Sequence, residues 1–270
     1  MRREETKYTN VDGTPQLKRA VAAKFKRENG LDYKLDEIIV CTGAKQAIFG
    51  ALTATLEPDD EVIVPAPYYL GYFDITQLCG GNPVPARTLA EDGFKLRASA
   101  LEEVITPRTR WLVLNSPSNP SGAVYSQDEL RALSGVLMKH PRIGILCDDI
   151  YEHILFDGRK YSTFAQAVPE LHDRTLTVNG ASKAYAMTGW RVGYAAAPRL
   201  TREQLARLTD QEAGLELRRR AGEAAEQPSV GAGALFEGRG DAGVEAAGDD
   251  HFVDLGFEKN LARRTVEFAQ

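Results

Sequence analysis

Three cysteines, two tryptophans and three methionines are all that the 270 residues contain of those types. Cys41, Cys79 and Cys147 lie in separate apolar or loop contexts, with no CxxC pair and no even set. That disfavours a disulfide framework and leads us to expect buried free thiols in a reducing compartment. No apolar run approaches the roughly 18 residues of a membrane span. The opening MRREETKYTN also lacks the apolar core of a signal peptide. A soluble, cytosolic protein with no membrane partner is expected. Basic excess is missing as well: 33 Lys and Arg stand against 38 Asp and Glu, a net charge of −5, so nothing points to nucleic acid. Only four histidines occur, without HExxH or other paired-ligand spacing. A metal reading of Asp148, Asp149, Glu152 and His153 is therefore poor, and no metal is expected. A Walker loop and internal repeats are absent too.

The shortages are unevenly spread. All ten tyrosines, both tryptophans and all the cysteines and methionines lie in residues 1–200. The last 70 residues hold no isoleucine and one lysine, Lys259, and are rich in Ala, Gly, Arg and Glu. Such a segment has too little branched and aromatic bulk for a dense core; 202–221 could be helical, while 227–250 reads as flexible.

Residues 1–200 alternate regularly. "TPQLKRAVAAKFKREN" (14–29) has helical spacing, with Thr14 as N-cap and Pro15 at the first helical position. Strands are expected at 37–42, 60–67, 82–88, 110–117, 143–149, 175–180 and 191–198. Helices are expected at 44–56, 68–81, 99–105 and 126–140, the last opened by a Ser126/Glu129 capping box. Strands apolar throughout, alternating with amphipathic helices, imply an α/β fold. The expected form is a three-layer sandwich with a mostly parallel sheet covered on both faces. In such sheets ligands gather at the carboxyl ends of strands.

The unusual residues fall at those ends. Thr42-Gly43-Ala44-Lys45 opens a helix, whose free N–H groups suit a phosphate, although most strand–glycine–helix turns are only turns. "NSPSNPSG" (115–122) is a rigid loop able to present an amide, and Asn115 itself reads as turn chemistry. "DDIYEH" (148–153) places a carboxylate and a phenol within one turn. In "NGASKAYAMTGWRVGY" (179–194), Lys183 stands alone among small residues. A desolvated setting would lower its pKa and make it a nucleophilic amine. A lysine for a Schiff base, an aspartate for a pyridinium nitrogen and a phosphate cradle with an arginine are what pyridoxal 5′-phosphate (PLP) requires.

Residues 5–198 resemble the fold-type I, class I PLP aminotransferases, nearest to the bacterial aspartate aminotransferase subgroup. The resemblance runs through "KYTNVDGTPQLKRAV", "GAKQAI", "DEVIVPAPYY", "ITPRTRWLVLNSPSNPSGAVYS", "DDIYEH" and "NGASKAYAMTGWRVGY". It implies that Lys183 carries the cofactor and shuttles a proton, and that Asp148 pairs with the pyridinium nitrogen. Tyr151 and Asn119 would contact the ring's 3-oxygen. Gly43, Ala44 and Lys45 would line the phosphate site, with Arg191 as its charged partner. Tyr69 falls where the family stacks an aromatic ring, and with Asn119 it would border the substrate. Tyr8 matches a tyrosine that reaches the neighbouring subunit's phosphate, which implies a homodimer.

The expected activity is ping-pong transamination between an L-amino acid, aspartate favoured, and a 2-oxo acid, 2-oxoglutarate. The family pattern has further residues before Tyr8. After residue 200 it continues into a small domain whose arginine binds the substrate carboxylate. None of the eight arginines in 201–270 sits in that motif. Residues 1–200 are thus expected to be a partial PLP-binding large domain, and 201–270 an unrelated tail, from a shifted reading frame or joined gene fragments. The alternative to an active enzyme is a degenerate chain that binds PLP weakly or not at all.

Overall fold

In the strand Glu61–Ala66 (β2), Val62 and Val64 face one side of the sheet and Ile63 the other. The same division splits Thr109–Asn115 (β4), with Trp111 and Val113 against Leu112 and Leu114. It also splits Gly144–Asp148 (β5), with Leu146 against Ile145 and Cys147. Successive strand residues point to opposite faces, so a run that is apolar at every position needs cover on both. This is the physical reason for three layers.

The computed structural model describes residues 8–198. The composition break and the expected tail at 201–270 lie outside the described residues. The first helix, α1 (Pro15–Lys24), starts at Thr14, whose side chain accepts from Leu17 N, and widens into a π-helical turn over Phe25–Asn29. Then follow β1 (Ile38–Cys41), α2 (Ala44–Thr55), β2, α3 (Leu70–Leu78) and β3 (Asn82–Arg87). After these come α4 (Ala98–Val104), β4, α5 (Gln127–Leu137), β5, α6 (Phe164–Ala167), β6 (Thr175–Gly180) and β7 (Gly193–Ala196). The Ser126/Glu129 capping box expected for α5 is formed in both directions. The expected helix at 68–81 is shorter: Tyr69 is extended and α3 begins at Leu70.

The sheet order is β1-β7-β6-β5-β4-β2-β3. Pairings among β2 to β6 are parallel, whereas β7 is antiparallel to both β1 and β6. One face packs on α2 and α3 through Ile48, Leu52, Tyr72 and Ile75. The other packs on α4, α5 and α6 through Leu101, Leu130, Leu133 and Phe164, with α1 beside them through Val21 and Phe25. Each such buried Leu or Phe contributes roughly 1.5–3 kcal/mol. Of the thiols, Cys79 and Cys147 are buried and free as expected, but Cys41 is half-buried at the end of β1. No helix among the described residues is long and apolar enough to cross a membrane.

Direction within the sheet positions the site. Strands β1, β2, β4, β5 and β6 all end at one edge, and antiparallel β7 begins there. Residues on both sides of the β6–β7 connection are therefore delivered to the same edge as Gly43, Asn115 and Asp148.

Candidate active site

Asp148 ends β5 with its carboxylate buried, 6% exposed. Its Oδ2 accepts from the Tyr72 hydroxyl at 2.7 Å and its Oδ1 from Ile150 N at 3.2 Å. Burial raises its pKa above the usual aspartate range, while the Tyr72 hydroxyl, the Ile150 N–H and the charge of Lys183 pull it back down. Burial, and then the charge of Asp148, hold the Tyr72 phenol far above its ordinary range, so Tyr72 is a fixed donor. No salt-bridge partner of Asp148 lies among the described residues. A buried carboxylate facing no cation at contact distance is costly and suits a cationic ligand atom.

Asn115, at the end of β4, donates through Nδ2 to the Asp148 carbonyl at 2.8 Å and accepts from Asn119 N at 2.7 Å. It brackets two loops together, in line with its reading as turn chemistry, and so sets Asn119 beside β5. Lys183 follows β6 by three residues, with its Nζ 5.5 Å from the centre of the Tyr151 ring. Lys183 is exposed. The expectation of a desolvated lysine is thus corrected: Ala181, Ala184 and Ala186 are too short to cover a four-carbon side chain, and the segment turns outward into exposed Tyr185 and Trp190.

The turn after β1 forms the other half of the edge. Gly43 has φ +91° and precedes α2 without offering a side-chain cap; Gln46 N donates to Gly43 O at 3.1 Å, which leaves the N–H groups of Ala44 and Lys45 to suit a ligand. A Cβ on Gly43 would lie 2.3 Å from Arg191 Nη2, and one on Gly193 only 2.2 Å from the Gly43 carbonyl carbon. Two bare backbones approach here because neither residue has a side chain. Arg191 donates to Thr42 O at 3.3 Å and to Thr188 O at 3.0 Å. It was expected within a strand, but it has a left-handed φ of +53° and β7 starts two residues later. That turn is what swings its guanidinium over Gly43. The result is a turn that sets a helix N-terminus and one guanidinium side by side, a charge arrangement that suits an anion. Tyr69 lies between the two halves, edge-on to Tyr72 at 5.6 Å, with Lys45 Nζ 5.4 Å from its ring centre.

Most of the expected residues therefore share this edge. Tyr8 is the exception: it is fully exposed, at 107%, and enters none of these contacts. Tyr72 was missed by sequence reading, although its place one helical turn after Tyr69 was an available signal. The four residues weighed as metal ligands do not gather as one set, although Glu152 and His153 lie with Glu28, their ligand atoms within 4.8 Å of one another. Asp148 turns to Tyr72, and Lys24 pairs with Glu152. Burial pushes Asp149 up to about 7, against the hydroxyls of Thr163 and Tyr161.

An aspartate and a lysine at one sheet edge, beside a glycine turn and an arginine, restrict the chemistry, and comparison with known proteins fixes the kinship. The family model for aminotransferase class I and II matches residues 1–215. The chain belongs to that family. It is 59% identical over 197 residues to an aspartate aminotransferase of Rhizobium meliloti, covering 73% of this chain and 48% of that protein. It is 56% identical over 196 residues to a probable aspartate/prephenate aminotransferase of Rhizobium leguminosarum bv. phaseoli, covering 73% and 49%. The chain thus spans about half the length of these curated relatives. In three dimensions it matches the crystal structure of the Rhizobium meliloti aspartate aminotransferase with a TM-score of 0.75 and 52% identity, over 82% of this chain and 60% of that one. The Thermus thermophilus aspartate aminotransferase with maleate gives 0.71 and 40%, over 83% and 62%. These neighbours carry the fold-type I architecture, so the mostly parallel α/β sandwich read from the strand pattern is the family fold.

Proposed function

We propose that the chain is the PLP-binding part of an aminotransferase that moves the amino group of an L-amino acid, aspartate first, to a 2-oxo acid, 2-oxoglutarate, by a ping-pong route. The observation that carries this reading is the pairing at one sheet edge of a buried, cation-poor carboxylate, Asp148, with a lysine, Lys183. Aspartate as substrate is supported by the names of the Rhizobium relatives and by the maleate, a four-carbon dicarboxylate, that accompanies the Thermus enzyme in its structure. On this reading residues 1–200 are the cofactor-binding part and 201–270 a separate tail.

The residues present fit the cofactor. The turn of Gly43, Ala44 and Lys45 under Arg191 would hold its phosphate, Tyr69 would lie on its ring, and Asp148 would face its ring nitrogen. Tyr151 and Asn119 would meet the 3-oxygen. When bound, PLP supplies an electron-withdrawing ring that accepts the electron pair released at a substrate Cα. Asp148 would hold a proton on the ring nitrogen, and the Tyr72 donor favours the ionised carboxylate that this needs. Lys183 Nζ would hold the cofactor and, when released as a free amine, would be the base that takes the proton from the substrate's Cα. The Tyr151 phenol beside it directs the amine. Tyr69 and Asn119 border the substrate, and Tyr8 reaches the phosphate of a second copy in a homodimer.

The exposure of Lys183 favours a second reading, in which PLP is held weakly and turnover fails because water reaches the amine. One titration separates the two. PLP added to the full chain should give a visible absorbance band that Lys183→Ala abolishes and that L-aspartate bleaches, with 2-oxoglutarate restoring it. A lysine-dependent band untouched by aspartate would favour the second reading. A band indifferent to Lys183 would remove the first.

A further inference from the structure

Glu152 touches none of the groups assigned above, yet it is only 5% exposed and lies at the centre of a buried polar cluster. Its Oε2 accepts from Asn29 Nδ2 at 2.8 Å and its Oε1 from Asn179 Nδ2 at 2.7 Å. Lys24 Nζ pairs with the same Oε1 and donates to Asn29 Oδ1 at 2.8 Å. Asn29 and Asn179 are 1% and 3% exposed. One carboxylate thus ties the end of α1 and its π turn, the turn after β5, and the end of β6. Apolar residues of the same volume would often stabilise a protein as well or better, because a buried ion pair loses so much hydration. Stability alone is a poor account of this cluster.

Its neighbours supply a better one. Tyr151 directly precedes Glu152, and the Glu152 N–H is fixed by Asp149 O at 3.0 Å. On the other side, Asn179 Oδ1 accepts from Gly180 N at 2.7 Å, and the next amide, Ala181 N, donates to Val192 O at 3.0 Å. Asn179 therefore spans the distance from the carboxylate to the backbone that leads into Lys183. Lys183 itself is exposed, so cover by neighbours does not set its direction; the course of its backbone does.

We propose that Glu152 is a positioning residue for the transamination site. Through Asn179 it fixes the strand end that presents Lys183, and through its own turn it fixes Tyr151, while Lys24 and Asn29 hold its carboxylate still. The assignment rests on the reading of Lys183 as the cofactor-bearing lysine.

The test separates positioning from stability by crossing two variants of the full chain. Glu152→Gln keeps an acceptor for Asn179 but loses the charge facing Lys24, so its thermal midpoint falls. The pair Lys24→Met with Glu152→Met removes the buried charges and recovers the midpoint, but leaves Asn179 without its acceptor. Without PLP, amide exchange at Gly180 and Ala181 should quicken at least about tenfold in the Met pair, one lost hydrogen bond's worth, and stay near parental in Glu152→Gln. With PLP, the visible circular dichroism of the lysine-bound cofactor should weaken in the Met pair and persist in Glu152→Gln. Exchange and dichroism that follow the thermal midpoints instead would overturn the proposal. If the exchange pattern holds but the parent chain shows no Lys183-dependent band, positioning stands and the aminotransferase reading is what fails.

Discussion

Tyr72 meets Asp148 at 2.7 Å, and removing that hydroxyl while keeping the ring is the mildest perturbation the site allows. Asp148 is already raised by burial, so Tyr72→Phe should raise it further and leave the ring nitrogen less firmly protonated. A hydrogen bond to a charged group is worth about 1.5–3 kcal/mol. The dissociation constant for PLP, followed by the visible band, should therefore rise about tenfold or more; an unchanged constant would mean that Asp148 does not face the cofactor. Asp149 gives a second test of opposite character. Its folded pKa of about 7 lies above the roughly 4 of an unfolded aspartate, so the unfolded chain ionises first. Stability from this group is whole below pH 4 and is lost as pH rises to 7, by up to about 4 kcal/mol. Asp149→Asn removes that slope, so its thermal midpoint relative to the parent should improve between pH 5 and pH 8. At this scale the sequence made Lys183, Asp148, Tyr151 and Arg191 visible, because each is a polar group within three residues of one end of an apolar strand, and the family resemblance supplied their roles. Tyr72 was hidden: a tyrosine on an apolar helix looks like core until its hydroxyl is seen to have a carboxylate beneath it. The exposure of Lys183 was hidden too, since small neighbours read equally as tight packing or as thin cover.

Elements carry their own predictions. Ser126→Ala removes the side chain that accepts from Glu129 N at 3.2 Å, and should cost about 1 kcal/mol in denaturant unfolding while leaving PLP binding untouched. Gly193→Ala acts differently. Its Cβ would strike backbone of the β1–α2 turn at 2.2 Å, which no side-chain rotation relieves, so that turn must shift. Inorganic phosphate binding, measured by calorimetry, should be lost together with several degrees of thermal midpoint; retention of both would place the phosphate elsewhere. The capping box and every strand of the sheet were readable from spacing, because hydrophobic period and capping chemistry are local. The antiparallel setting of β7 was not. Strand direction depends on how far the chain must travel between strands, and a connection of a dozen residues from Gly180 to Gly193 fits either direction. That one direction brings Arg191 to Gly43.

Over the whole molecule, exposed apolar groups flank the site residues in sequence: Leu70 next to Tyr69, Tyr185 near Lys183, and Trp190 next to Arg191, at 70%, 64% and 72% exposure. On the proposed homodimer these side chains would lie in the contact between the two copies. The proposed homodimer predicts that sedimentation shows a concentration-dependent dimer, which Trp190→Asp shifts towards monomer; a monomer at all concentrations would leave Tyr8 without its role. The central claim, however, is that one lysine binds the cofactor, and borohydride reduction tests it most directly. The full chain is incubated with PLP, reduced, digested and weighed by mass spectrometry. A pyridoxyl adduct is expected on the peptide carrying Lys183 and on no other lysine, Lys45 included. An adduct spread over surface lysines, or none on Lys183, would contradict the claim.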